Sequence, residues 1–468
     1  MSDAANPEVR YEDRMSDADA LMWGIEKDPM LRSTITTIIV LEGALDRDTI
    51  RREFDRTSRA VPRLRERVRS NPLSLAPPRW EVDPNFDLSY HVRFARVPGA
   101  GTLNDLLQMA QPMAMQSFDR ARPLWEATVA EGLADGGSAI IMKIHHSITD
   151  GVGGVRLMLE LFDLDAEADE RDLADEPEIH VLNQAERFMD AFQHETRRQL
   201  AFLGRLTSSG LSSAGSAVTD PAGTYESASE LVASTGRILR PVSHPLSTVM
   251  TGRSLSNHFG VITLPLDLSK KAGKVIGGTI NDTFVSGLVR GFHLYHGALG
   301  AEMPALRMGM PINIRTSTEV EVAGNDFVPA RFELSTESDT VEDLMREVRE
   351  RMLGARNEPA NQLVDLLSNV LNRLPTTVVT QIFGTMMKGL DFQASNVPGS
   401  PIPLYLRGVR VASVTPFGPL AGAAANVTLL SYQNELNIGI NVDPAAVTDP
   451  ELFMRCVRQG YDEVLALV

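Results

Sequence analysis

Residues 139–154 read AIIMKIHHSITDGVGG. Ala139 to Ile144 is a short, isoleucine-rich apolar run, the pattern of a strand buried on both faces. It ends in two adjacent histidines, His145 and His146. Neighbouring side chains on a strand point to opposite faces, so the pair is a poor chelate. No HExxH and no Cys/His set accompanies it, and no metal site is expected. One imidazole can face a cavity while the other packs inward. A neutral imidazole near pH 7 can take a proton from an alcohol, which suits a single general base. Asp150 stands four residues after His146 and can fold back to fix the local backbone. Gly151, Gly153 and Gly154 are expected to let the chain turn before a helix through Leu157–Phe162. No G-x-S-x-G nucleophile motif is present, so a covalent acyl-enzyme is not suggested. Taken alone, the heptad fits a packed histidine pair beside a structural aspartate equally well.

Around this stretch strands and helices are interspersed without a strict βαβ rhythm, which predicts a mixed α/β or α+β architecture. Strands are expected over residues 33–41, 80–96 and 125–130, with a polar helix over 45–58. The second half adds strands at 260–264, 306–314, 326–334, 404–415, 426–432 and 435–441. Helices are expected there over 281–295, 340–353 and 450–467. Between the halves, residues 163–178 carry nine acids against one arginine, the composition of a solvated linker. A helix is expected from 184 to 206, and the Ser/Gly/Ala-rich 207–226 reads as a mobile loop. The domain reading is 1–180, a crossover over 181–240, and 241–468.

The chain has 468 residues, more than one ordinary core holds, with 43% apolar and 23% charged residues. A formal net charge of −16 argues against a nucleic-acid partner. The single Cys456 excludes an internal disulfide framework and fits a reducing, cytoplasmic compartment. The polar, acidic opening residues do not read as a secretory signal. The uncharged stretch between Arg410 and Glu435 holds two prolines and several polar residues, so it reads as strand, loop, strand and not as a span. Residues 374–387 are too short to span and read as a core helix or one resting on lipid. Eight arginines against three acids over residues 51–69 are a basic cluster in an acidic protein. Such a cluster suits phosphates or anionic headgroups, or it is a solvated helix and strand. Met308, Met310, Phe417 and Leu420 are candidates for the wall of an apolar tunnel, or plain core.

HHSITDG matches the HHxxxDG motif of coenzyme A-dependent acyltransferases of the chloramphenicol acetyltransferase-like fold. Pro123-Leu124-Trp125 stands upstream of it, Asn281-Asp282 follows GGTI, and Met15-Ser16-Asp17-Ala18-Asp19 lies near the start. With Gly324-Asn325 and Ser395-Asn396-Val397-Pro398-Gly399, these resemble the PLW, ND and accompanying motifs of the bacterial wax ester synthase/diacylglycerol acyltransferase family. The resemblance runs over roughly residues 14 to 465. The DFGWG motif of several relatives is absent, and TPFGPL stands near its place.

The resemblance implies two chloramphenicol acetyltransferase-like sandwich domains joined by a crossover, with the active site at their interface. It implies transfer of a fatty acyl group from acyl-coenzyme A, a substrate and not a resident cofactor, to diacylglycerol or a long-chain alcohol. His146 would be the general base, Asp150 would hold its loop, and Gly151 would keep that loop free of a side chain. His145 would pack beside them. Asn281 would orient the histidine or donate to the oxyanion, with a helix cap as the alternative. Trp125, Asp282 and Asn396 are the substrate-binding candidates. The water-insoluble product implies peripheral contact with the inner membrane surface or lipid bodies. The rivals are a same-fold enzyme with another acceptor and a non-catalytic lipid-binding protein.

Overall fold

The computed structural model describes residues 11–71, 76–148, 151–200, 244–313, 327–335, 338, 340–356 and 376–468. The loop expected over 207–226 and the middle of the crossover lie outside them, as do Thr149, Asp150, Gly324 and Asn325.

In chain order the described strands are β1 (Thr34–Leu41), β2 (Glu66–Arg69), β3 (Arg79–Val82), β4 (Val92–Arg96), β5 (Trp125–Glu131), β6 (Ser138–His145) and β7 (His258–Pro265). They continue as β8 (Ala305–Asn313), β9 (Phe327–Ser335), β10 (Phe392–Val397), β11 (Tyr405–Leu406), β12 (Val409–Phe417), β13 (Ala425–Tyr432) and β14 (Glu435–Val442). Two six-stranded sheets form, in the orders β11-β12-β1-β6-β5-β4 and β7-β14-β13-β10-β8-β9. Pairing is antiparallel except for β4–β5, β10–β13 and β8–β10.

The two sheets do not divide the chain at one point. β11 and β12 come from the expected second half but complete the first sheet, with Thr36 opposite Phe417 and Ile38 opposite Thr415. The boundary placed at 241 therefore does not separate the sheets. Just after β12 the chain is held against the second sheet. Asn426 donates to the Pro419 carbonyl at 2.8 Å, and Asn441 to that of Gly418 at 3.0 Å. A Cβ at Gly439 would lie 1.9 Å from the Pro416 carbonyl oxygen, so only glycine lets β14 come this close to β12. The Phe259 and Phe417 rings stack at 4.1 Å across the same seam.

The second sheet buries its face under the helices Ile280–Ala298 and Pro450–Leu465. Phe284, Leu288, Phe292, Phe453, Val457 and Tyr461 meet Val427, Leu429, Ile438 and Ile440 there. Each fully buried large side chain contributes about 1.5–3 kcal/mol. The helices approach closely at Gly460, whose Cβ would lie 2.5 Å from the Gly287 carbonyl oxygen. Met308 and Met310 belong to this core, and Phe417 to the seam. None of the three is spare wall for a tunnel, because each is closed over by packed neighbours; Leu420 is half-buried.

In the first sheet β6 lies between β1 and β5 and is buried along its whole length. Ile140, Met142 and Ile144 face one core with Trp125, Phe54 and Leu161. Ile141 faces the opposite side, under the helix Leu103–Met115. Of the two readings of the basic cluster, the helix followed by a strand holds, over Arg47–Ala60 and Glu66–Arg69. All eight arginines of 51–69 are ion-paired, several of them with the acidic stretch. Arg59 meets Asp55 at 3.0 Å and Glu176 at 3.1 Å, and Arg52 meets Glu170 at 3.8 Å. The acidic stretch is thus a strap lying on the arginine helix Arg47–Ala60, not a free linker.

Candidate active site

β6 delivers the histidines. His145 is its last residue and is 1% exposed. Its ring has a polar neighbour at each nitrogen. Nδ1 accepts the Ser147 backbone N–H at 3.1 Å and lies 2.7 Å from the Ser147 hydroxyl. The proton of the neutral ring is therefore on Nε2, which stands 3.0 Å from Glu26 Oε1. Trp23 and Phe118 meet the ring edge-on at 5.6 and 6.2 Å.

Glu26 makes this arrangement firm. Its Oε1 also accepts the Ser33 N–H at 2.6 Å, and Oε2 accepts from Arg120 at 3.3 Å. Burial pushes this carboxyl up, but the bonds from His145 and Ser33 and the Arg120 charge outweigh it. The group sits below the ordinary glutamate pKa and is a carboxylate at neutral pH.

His146 leaves the strand and is half-buried. Its N–H donates to the Ser33 carbonyl at 2.8 Å, and the Ile148 N–H closes the following turn on the His145 carbonyl at 3.0 Å. The helix Gly151–Leu161 then begins at once. The glycines expected to turn the chain lie inside its first turn. Leu157, Leu161 and Phe162 dock into the core and draw the helix forward, so packing overrides the low helix propensity of glycine.

Beside His145 a cavity of about 360 Å³ opens. Trp23, Glu26, Lys27, Arg32, Phe118 and Arg120 line it, with Thr34, Ser117 and His145. Two places along β6 from His145, Lys143 is 2% exposed, with its ammonium 3.9 Å from Glu126 and 4.4 Å from the Phe118 ring centre. Burial lowers this lysine to about 8.

Asn281 and Asn396, far apart in sequence, meet: the Asn396 amide donates to Asn281 Oδ1 at 2.6 Å. Asn396 is exposed on β10 and Asn281 half-buried in the first turn of its helix. Asn281 is not the cap of that helix. Thr279 is, in a capping box with Asp282. Asp282 Oδ2 accepts the Thr279 N–H at 2.6 Å and hydroxyl at 2.9 Å, and Arg349 meets it at 3.2 Å. Its carboxylate is committed to holding the helix start. Trp125 is fully buried, stacked between Phe54 and His91, and its indole N–H donates to the Leu64 carbonyl at 2.7 Å. It braces β5 from behind. Glu26, Ser33 and Lys143 were not singled out from the sequence. Glu26 lies in WGIEKDPM, where a lone acid carries no motif.

The sequence matches the wax ester synthase/diacylglycerol acyltransferase catalytic domain over residues 15–284 and the C-terminal domain of the same proteins over 323–464. The chain belongs to the wax ester synthase/diacylglycerol acyltransferase family. It is an acyltransferase. A Mycobacterium tuberculosis protein provisionally named diacylglycerol O-acyltransferase is 35% identical over 98% of this chain and 93% of its own length. The solved wax ester synthase/diacylglycerol acyltransferase of Marinobacter aquaeolei VT8 shares the fold, with TM-score 0.63 and 19% identity over 96% of this chain and 98% of that one. The first condensation domain of the calcium-dependent antibiotic synthetase also shares it, with TM-score 0.59 and 15% identity over 98% and 97% of the two chains. The acyltransferase thus has the two-domain chloramphenicol acetyltransferase-like fold expected from its motifs. Among its described residues, no group of histidine, cysteine and acidic side chains is placed to hold a metal ion. No described helix is long and apolar enough to cross a membrane.

Proposed function

We propose that this acyltransferase moves a fatty acyl group from acyl-coenzyme A to the free hydroxyl of diacylglycerol, with long-chain alcohols as a second acceptor. The observation that carries the reading is the division of labour at the end of β6. His145 is fixed by Glu26 and Ser147, and its backbone closes the turn on which His146 sits. His146, carried on that turn in a family whose motif it matches, takes the acceptor's hydroxyl proton. The acceptor oxygen attacks the thioester carbonyl, the carbon–sulfur bond breaks, and the imidazolium returns its proton to the departing thiolate. Asp150, outside the described residues, and Gly151, the first residue of the next helix, take the supporting roles that the motif implies. The Asn281–Asn396 pair is a candidate donor to the oxyanion or the acyl carbonyl. Trp125 and Asp282 act at a distance, through the strand and the helix that they brace. The diacylglycerol names of the relatives favour that acceptor for this chain.

An acceptor dissolved in lipid has to be met at a surface. We place that contact on the helix Thr376–Lys388, and the association with the inner membrane face or lipid bodies as peripheral. The test is purified protein with labelled palmitoyl-coenzyme A and either dioleoylglycerol or hexadecanol. Thiol release matched by triacylglycerol is the expected result, and the ratio to wax ester ranks the acceptors. Thiol release without either lipid product overturns the acceptor assignment. No release overturns the acyl-coenzyme A reading.

A further inference from the structure

The cavity beside His145 carries a surplus of positive charge in an acidic protein. Three cations line it, Lys27, Arg32 and Arg120, against one carboxylate, Glu26. Both Glu26 oxygens are already engaged, by His145 and Ser33 on one side and Arg120 on the other. The acids on the flanking segments are matched elsewhere: Asp28 meets Lys388 at 3.0 Å, and Asp119 faces Arg122 at 3.7 Å. Arg32 spends part of its guanidinium on the Met115 carbonyl and has no carboxylate partner among the described residues. Lys27 has no partner among them and is exposed. This contrasts with the fully ion-paired arginines of 51–69. The Arg120 guanidinium carbon sits 4.0 Å from the centre of the Trp23 ring, a contact that holds this cation in place beside the cavity. Thr34 and Ser117 also line it.

Clustered guanidinium and ammonium donors, with hydroxyls beside them and a surplus of positive charge, are the chemistry that recognises a phosphate ester. We propose that this cavity binds a phosphate group of the acyl donor's coenzyme A through Arg32, Arg120 and Lys27. The assignment rests on the acyl-coenzyme A reading above. Its position supports it. The back wall contains Thr34 and His145, and the adjacent Ser33 carbonyl holds the His146 N–H. A donor held here by its phosphate is held against the end of β6, next to the turn that carries His146. Half-buried Phe118 offers aromatic surface to the adenine or the arm.

A membrane phospholipid carries the same phosphate chemistry, so the test separates the two sources. Coenzyme A, pantetheine and phosphatidate-containing vesicles are titrated against the wild-type chain and the Lys27→Ala/Arg32→Ala variant. Wild type is expected to bind coenzyme A more tightly than pantetheine, and the variant to lose at least about tenfold of coenzyme A affinity. Palmitoyl transfer is expected to show the same loss as a raised KM for palmitoyl-coenzyme A with kcat retained at saturation. Lys27→Glu, at an exposed position, gives the same direction of change should the double variant fold poorly. Unchanged coenzyme A affinity in a folded variant overturns the site, while continued product formation keeps the acyltransferase reading. Loss of vesicle binding with coenzyme A binding intact overturns the donor assignment in favour of a lipid phosphate.

Discussion

His91 is a sensitive probe of the first sheet. Its ring is fully buried between Phe86, at 5.2 Å, and Trp125, at 4.6 Å. Nδ1 lies 2.7 Å from the Trp125 carbonyl, which can only accept, so this nitrogen carries the proton of a neutral ring. Burial lowers its pKa to about 4, the nearby Arg122 adds to the effect, and Asp83 opposes it. The unfolded chain protonates this histidine near 6.5. The unfolded state therefore gains protons first as pH falls, and stability drops from about pH 6.5 down to about pH 4. At pH 5 the linkage amounts to about 2 kcal/mol. His91→Phe keeps the stack but cannot be charged. It loses the bond to Trp125, at a cost of about 1 kcal/mol at pH 7. Urea unfolding of both proteins at pH 7 and pH 5, followed by tryptophan fluorescence, isolates the proton effect as a double difference. Wild type should lose about 2 kcal/mol more than the variant between the two pH values. Equal losses would show that the ring is protonated as easily inside as outside, and the burial argument would fall.

His146→Ala should lower kcat by about 10²–10⁴-fold with the circular dichroism spectrum unchanged; a smaller drop means the base lies elsewhere. Glu26→Gln should destabilise the protein by about 1–3 kcal/mol at pH 7. Because the folded carboxyl titrates below its ordinary value, wild type alone should lose this stability as pH falls below about 4.5, so the two unfolding curves should converge in acid. Single and double alanine exchanges at Asn281 and Asn396 should show a coupling of about 1 kcal/mol in kcat/KM; additive effects would mean that the amides act separately. Arg253 donates to the carbonyls of Met250, Gly252, Lys388, Leu390 and Gly422 at 2.6–3.2 Å. Its replacement by alanine should cost about 3 kcal/mol or more, and lysine should not restore it, because one ammonium cannot span the fork. Denaturant midpoints decide the point.

Much of the architecture could be read from the sequence because burial imposes period and composition. β1, β6, β13 and β14 are dense in branched apolar residues, and each lies within two residues of its expected place. The helix Asp17–Ile25 and strand β10 were missed, since the first mixes Asp, Gly and Trp and the second ends in Asn396 and Val397 before a proline. The arginine cluster and the acidic stretch were each read alone. Only the fold shows that they face one another, because charge complementarity between distant segments leaves no local trace. The histidine motif located the chemistry. Glu26 escaped notice because its role depends on β1 and β6 being adjacent, and that pairing joins residues about a hundred positions apart.

The placement of β12 also bears on how the protein comes to be made. β1 leaves the ribosome well before the strand that covers its free edge, which pairs with it from about 370 residues further on. Until then the nascent protein presents an open row of backbone donors and acceptors along Thr34–Leu41, flanked by isoleucines, the kind of edge that recruits foreign strands. Pairing across so long a loop is also intrinsically slow. A fragment ending before residue 409 would keep that edge bare, and aggregation is its expected fate. A sheet closed so long after its first strand is made is expected to lean on chaperones during synthesis.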